Sequence, residues 1–160
     1  MPAIIIGAPP KSLALETRQH NPIANVVDPI ISQMNKNQFD GIRSDYPRVV
    51  ERSIPSGWYN CHGLTFASRR CVIEEADEVV KIITDDDYKS IDEKDVLPGD
   101  IVLYYKNGDL EHSGIVITKP EPQKLQPSVI SKWGCYCEVI HYAHDCPYST
   151  EDIRYYRIEE

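Results

Sequence analysis

Asn107-Gly108 lies between two apolar, β-rich runs, residues 101–105 and 110–118. Asn and Gly accept the positive φ angles that a two-residue hairpin turn demands, so this dipeptide commits the chain to a pair of antiparallel strands. A lone hairpin cannot bury its apolar face, and the flanking sequence supplies more strands. Val96-Leu97-Pro98-Gly99-Asp100 is a turn that launches the first of the two. Residues 119–127 hold three prolines and form a surface loop. Ser128-Val129-Ile130-Ser131-Lys132-Trp133 then reads as a third strand, closed by Gly134, and Arg154-Tyr155-Tyr156-Arg157-Ile158 as an edge strand.

Ahead of the hairpin the pattern turns helical. Asn60 is a good N-cap residue, which puts Cys61 at the first helical position. Cys61, Leu64, Ser68, Cys71 and Val72 fall on one stripe at three- and four-residue steps, and the helix is predicted to run to about Asp77. Cys71 on that stripe is a core residue. Val79-Val80-Lys81-Ile82-Ile83-Thr84 reads as a strand by its β-branched content, and Asp85-Asp86-Asp87 as a solvated turn or helix cap. Further upstream, Ile4-Ile5-Ile6 suggests a short strand and Asp28-Pro29 a helix start, with Ile30, Ile31 and Met34 on its apolar face up to about Asn37. Residues 39–55 read as loop with at most one short element. A helix first and strands after it define an α+β domain. One main helix carries Cys61 and packs on an antiparallel sheet of four to six strands. The whole chain, 1–160, is read as a single domain: an arm over 1–56, a core over 57–134, and a Cys/His-rich segment with the edge strand over 135–160.

Composition excludes several classes. A formal net charge of −8 argues against a general nucleic-acid binder and against a polybasic membrane-surface protein. No apolar run approaches the roughly 18–20 residues of a membrane span. Residues 1–10 lack the basic start of a secretory signal, so the chain is expected to be cytoplasmic as synthesised, or exported without a classical signal peptide. Five cysteines, an odd number, argue against a disulfide scaffold.

The chemistry centres on Cys61. The free N–H groups and positive dipole end of a helix favour thiolate over thiol. A nucleophilic cysteine needs a base, and His112, near the start of a strand after a tight turn, is the best placed of the five histidines. Gly114, on the same face of that strand, would let the Cys61 helix approach the sheet. His62 points about 100° away from Cys61 round the helix and is a poor base for it, though it can line a cleft.

Gly57-Trp58-Tyr59-Asn60-Cys61-His62-Gly63-Leu64, then Pro98-Gly99-Asp100-Ile101-Val102-Leu103-Tyr104, then His112-Ser113-Gly114-Ile115-Val116-Ile117 together resemble the NlpC/P60 and CHAP group of papain-like cysteine hydrolases. The resemblance covers about residues 57–134 and keeps the order of the motifs. It implies a papain-like fold and a cysteine-dependent amide hydrolase, a peptidase or amidase, with Cys61 as nucleophile and His112 as base. It implies a peptide or peptidoglycan-like substrate, no cofactor, and an oxyanion held by the Cys61 N–H and a group near Tyr59, with Trp58 and His62 beside the substrate. Small residues that often follow the cysteine in that group are replaced here by His62. The Cys-then-His order separates the chain from relatives whose histidine precedes the cysteine. The residue that orients His112 is taken as His141, with Glu138, Ser131 and a backbone carbonyl left open. A bacterial effector delivered without a signal, a phage-derived enzyme and a housekeeping enzyme all fit.

Two other classes compete. Cys135, Cys137, His141, His144 and Cys146 are dense enough to suggest a zinc-stabilised, non-catalytic binding module, although their spacing is not a common zinc pattern, and no metal site is assigned. Other thiol chemistry, as in a deamidase, transglutaminase or acyltransferase, would use the same cysteine. Trp133 is expected to pack against the sheet and Trp58 beside the cleft.

Overall fold

The computed structural model describes residues 11–27, 36–134 and 136–159. Their elements run α1 (Lys36–Ser44), β1 (Val50–Glu51), α2 (Cys61–Ala67), α3 (Ala76–Asp85), β2 (Tyr88–Ile91), β3 (Ile101–Lys106), β4 (Asp109–Val116), β5 (Ser128–Lys132), β6 (Glu138–Tyr142) and β7 (Asp152–Ile158), with a 3₁₀ turn at Glu93–Asp95. Among the described residues the strands form one sheet in the order β1-β6-β5-β4-β3-β7-β2, every pair antiparallel. The protein is α+β, and its sheet of seven strands is larger than the four to six expected. The expected strand at residues 4–6, the start of the helix at Asp28-Pro29, and Cys135 lie outside the described residues.

The hairpin forms where the sequence puts it. Asn107 and Gly108 both take positive φ, 51° and 85°, as a type I′ turn requires. The turn before β3 is equally well specified. Gly99 sits at φ 96° behind Pro98, and the Leu97 N–H donates to the Asp100 carboxylate at 2.7 Å. Arg157 of β7 donates two hydrogen bonds to the same carboxylate, both at 2.7 Å, which ties the turn to the far end of the chain.

Register between β4 and β5 is short. Only Ile115↔Ile130 and Val116↔Val129 pair. The N–H and C=O of Val116 bond Asp100 and Gly99 on the side leading into β3. By the alternation of an antiparallel strand, Gly114 and His112 also bond toward β3, and Ser113 turns its N–H toward β5. Below Ile115 no β5 partner takes that group, and α2 packs over β4 and β5 there.

Each face of the sheet carries its own core. One face presents Val102, Tyr104, Val116, Val129, Trp133, Val139 and Tyr155, covered by Phe39 of α1 with Tyr46 and Tyr148 at the margin. Trp133 packs against Phe39 and Tyr46 here, as expected of it. The other face presents Ile101 and Leu103 to Ala67 of α2, Val79 and Ile82 of α3, and Ile23 of the N-terminal arm. The arm is clamped on α3: Thr17 and Asn21 donate to the Asp85 carboxylate, the Arg18 N–H to Asp86, and Lys81 to the Pro22 carbonyl. The acidic run is thus a helix end with a structural task.

Several expectations are corrected. The Cys61 helix has seven residues and stops at Ser68, which is left-handed at φ 50°, followed by Arg69 at φ 65°. The chain then doubles back, and Val72 bridges to Val26. Residues 79–84 are helical, because Val79 and Ile82 reach the core at a three-residue step while Val80 stays exposed. Over residues 39–55, where at most one short element was expected, both the end of α1 and β1 form. β7 is interior, paired with both β3 and β2. β6 lies in the Cys/His-rich segment, which the sequence reading left without a strand. Gly114 accommodates β5 rather than the helix: a Cβ there would lie 2.8 Å from the Ile130 carbonyl oxygen.

Gly63 makes the closest approach. A Cβ on it would sit 1.8 Å from the Cys71 carbonyl oxygen, so the returning segment crosses α2 only because the side chain is missing. Gly63→Ala is expected to cost about 3 kcal/mol or more, since backbone rather than a flexible side chain must move. Chemical denaturation of the variant against the parent measures it.

Candidate active site

Asn60 builds the start of α2. Its side-chain oxygen accepts from the Gly63 N–H at 2.9 Å and its amide donates to the Ile73 carbonyl at 2.7 Å, so one residue caps the helix and fastens the returning chain to it. Cys61 follows in the expected first helical position, 8% exposed. Its environment is the strand rather than solvent. The Ser113 N–H, unclaimed by β5, and the Ser113 hydroxyl both act on the thiol, as do the N–H groups of His62 and Cys61 itself. All four favour thiolate, but burial outweighs them and pushes the thiol up. The group is held neutral, where the sequence suggested a helix-stabilised thiolate.

His112 is fully buried on β4, immediately before Ser113. Neither ring nitrogen has a hydrogen-bond partner. Buried polar atoms are nearly always paired, so this is a costly arrangement. Tyr148 stacks flat on the imidazole, centroids 3.6 Å apart and planes within 5°, and Tyr104 lies at 5.4 Å on the same core. Burial first, then His141 and His62 nearby, hold His112 well below the usual histidine range. Consecutive strand residues face opposite sides. Ser113 meets α2, and the His112 ring enters the Tyr104 core on the other side. Burial first, and then any negative charge on Cys61, would push the Tyr148 hydroxyl up.

His141 does not orient His112. Its Nε2 meets the Ser131 hydroxyl at 2.7 Å and its Nδ1 the Tyr142 carbonyl at 2.8 Å, which also commits Ser131. Glu138 lies on the opposite face, paired with Arg69 through two hydrogen bonds of 2.7 and 2.8 Å and accepting from the Tyr59 hydroxyl. Burial works to raise its pKa, but Arg69 and Tyr59 win and the carboxyl stays below its usual range. Tyr59 is correspondingly pushed up to about 12, by burial first and then by Glu138. Its hydroxyl is therefore engaged, and its ring lies under the Lys132 ammonium at 5.0 Å. Trp58 is 62% exposed rather than packed. His62 is buried against Ser113, not at the surface.

The Cys/His cluster diverges. Cys137 is in the core, His141 bonds Ser131, Cys146 points to the Ala143 and Tyr148 carbonyls, and exposed His144 pairs with Glu93 at 2.9 Å. Among the described residues no three His, Cys, Asp or Glu side chains are grouped to hold a metal. Nor is any helix among them long and apolar enough to cross a membrane. A cleft of about 670 Å³, lined by Tyr46, Lys106, Glu111, Cys146, Tyr148 and Ser149, reaches Tyr148 from outside.

Ser113 and Tyr148 are the members that sequence reasoning missed. Ser113 adjoins His112, but its contact with His62 spans a long stretch of chain and leaves no local pattern. Tyr148 is one of many tyrosines. No protein-family model matches this chain, and neither a curated protein nor a solved structure matches it.

Three buried histidines make stability pH-dependent. His62 and His141 are each lowered from 6.5 to about 4, by burial first, and His112 is lowered further. The unfolded chain takes up those protons first as pH falls. The stabilisation is therefore complete above about pH 6.5 and is lost between there and about pH 4, by about 1.4 kcal/mol per pH unit for each histidine. Denaturant midpoints are expected to drop steeply from pH 7 to pH 5, with a shallower slope in His62→Gln.

Proposed function

We propose that the protein is a cysteine-dependent amide hydrolase, a peptidase or amidase, with Cys61 as nucleophile and His112 as base. The observation that carries the reading is His112: a fully buried imidazole with two unpartnered nitrogens, adjacent in the strand to the residue that meets the Cys61 thiol. A fold gains no stability from such a group, and an imidazole with free nitrogens is the base that a cysteine nucleophile needs once the two are brought together.

Both groups rest neutral, since burial opposes charge on each. The mechanism is then general-base attack rather than reaction of a standing ion pair. As the sulfur bonds to the carbonyl carbon, a ring nitrogen of His112 takes the thiol proton. Collapse of the adduct breaks the C–N bond, and the same proton goes to the leaving amine. Water then attacks the thioester, losing a proton to His112, and releases the carboxylate and the thiol. The papain-like fold and a peptide or peptidoglycan-like substrate are part of this proposal, supported by the order of the Cys61, Pro98-Gly99-Asp100 and His112 motifs along the chain.

Tyr148 covers the base, so turnover requires the segment from Ala143 to Glu151 to move and join the outer cleft to Cys61. A non-catalytic module is the competing reading, favoured by that same burial. Incubation with peptidoglycan fragments and with amide peptides, followed by mass spectrometry, separates the two. Hydrolysis is expected, with a thioester trapped on Cys61. Cys61→Ala should abolish it, and His112→Ala should lower kcat by about 10²–10⁴-fold with the fold retained. Tyr148→Ala should speed alkylation of Cys61, while Tyr148→Phe, which keeps the stack, should not. Cys61 reacting no faster than Cys71 in wild type and in Tyr148→Ala, with no hydrolysis, would sink the hydrolase.

A further inference from the structure

The strand that carries His112 is irregular one residue earlier. Tyr104 pairs with His112 and Tyr105 with Leu110, so Glu111 is an extra residue with no partner on β3. Such a β-bulge breaks the alternation of side chains and re-aims one of them. Its effect is visible on both faces. Leu110 packs with Tyr105 in the core under α3, and His112 meets Tyr104 on the other face. Glu111 joins His112 on that second face, where a regular strand would send two consecutive residues to opposite sides.

There Glu111 lines the cleft of about 670 Å³, together with Tyr46, Tyr148 and, from the other arm of the hairpin, Lys106. The volume is that of a small-molecule site, whose usual range is about 300–1,000 Å³. Tyr148 is a firm wall, since its ring is stacked on the buried imidazole of His112. Among the described residues neither the Glu111 carboxylate nor the Lys106 ammonium has an ion-pair or hydrogen-bond partner, and the two do not bond each other. Neighbouring charges are spent: Asp145 pairs with Arg48 at 3.4 Å and Asp152 with Arg154 at 2.7 Å. A simple anion would be repelled by Glu111 and a simple cation by Lys106. A ligand bearing both charges satisfies both residues. The two tyrosines add aromatic surface, to which an ammonium is drawn as well.

We infer that this cleft binds a zwitterion, of the kind an unblocked short peptide or a free amino acid presents, with its ammonium on Glu111, its carboxylate on Lys106 and its body between Tyr46 and Tyr148. The site is complete while the segment from Ala143 to Glu151 is closed, so it goes beyond the hydrolase reading and does not need Cys61 to react.

The test is a proton–nitrogen NMR titration of the whole protein carrying Cys61→Ala, so that binding is read without turnover. The probes are trialanine and free alanine, each also with its amine acetylated or its carboxylate amidated. Saturable shifts of the Glu111 and Tyr148 amides are expected, and the tighter of the two unblocked probes gives the span between the charges. Either block should weaken that probe about fivefold. Glu111→Gln should cancel the penalty of acetylation and keep that of amidation, and Lys106→Met should do the reverse. Both side chains are exposed, so the variants are expected to fold as the parent does. A merely structural role would weaken free and blocked probes alike. The inference is overturned by the absence of saturable shifts with both unblocked probes, by blocks that cost nothing, or by variants that leave both penalties in place. Binding in a protein that cleaves no amide ends the hydrolase reading alone, and hydrolysis without binding in the cleft ends this inference alone.

Discussion

The parting of β4 from β5 below Ile115 and Ile130 is the constraint on which the rest of the molecule depends. A fully paired sheet would spend the Ser113 N–H on its neighbour. Here the group is offered to the helix start, and the cysteine is seated against the strand instead of on the surface. The parting needs two supports. Gly114, next to the last paired rung, lets β5 come close there, where a Cβ would strike the Ile130 carbonyl. Below it, Lys132 donates to the Ser56 and Gly134 carbonyls and draws the incoming loop across the opening. Buried polar groups are expensive unless bonded, so these contacts specify one arrangement out of many compact ones.

That seating sets the electrostatics. Each donor round Cys61 would lower its pKa on its own, and the low polarity of the site defeats them together. The same burial depresses three histidines, so the region carries little net charge at neutral pH. The charged pair nearby, Arg69 with Glu138, lies on the helix side of the sheet, where the Glu138 carboxylate also accepts from the Tyr59 hydroxyl. Under the proposed hydrolase reading, groups kept neutral in this way suit proton transfer during attack, with charge existing only in passing.

Much of the sheet was legible in the sequence, and the reasons are local. Asn107-Gly108, Pro98-Gly99 and the Asn60 cap each act within a few residues, and each is found where the pattern puts it. What was illegible depends on partners distant in sequence. Residues 79–84 hold enough β-branched side chains for a strand, yet the arm at 11–27 and the core select a helix. The Cys61 helix ends at Ser68 and Arg69 without a glycine to announce it. β7 looked like an edge because its two neighbours lie far upstream. At the candidate site, Cys61 and His112 were nameable as candidates from motif and order, and Asn60 as a helix cap from chemistry. Ser113 and Tyr148 were not, since an ordinary serine and one tyrosine among ten gain meaning only from what stands opposite them.

Insertion of β7 between β2 and β3 also orders events in time. During synthesis β2 and β3 leave the ribosome long before the strand that must join them. Until then β3 exposes one open edge and β2 has no partner, the situation in which nascent sheets recruit foreign strands. The Asp100 turn waits in the same interval for its arginine. The sheet therefore closes late and through contacts distant in sequence, a route that folds slowly and gives chaperones a defined target.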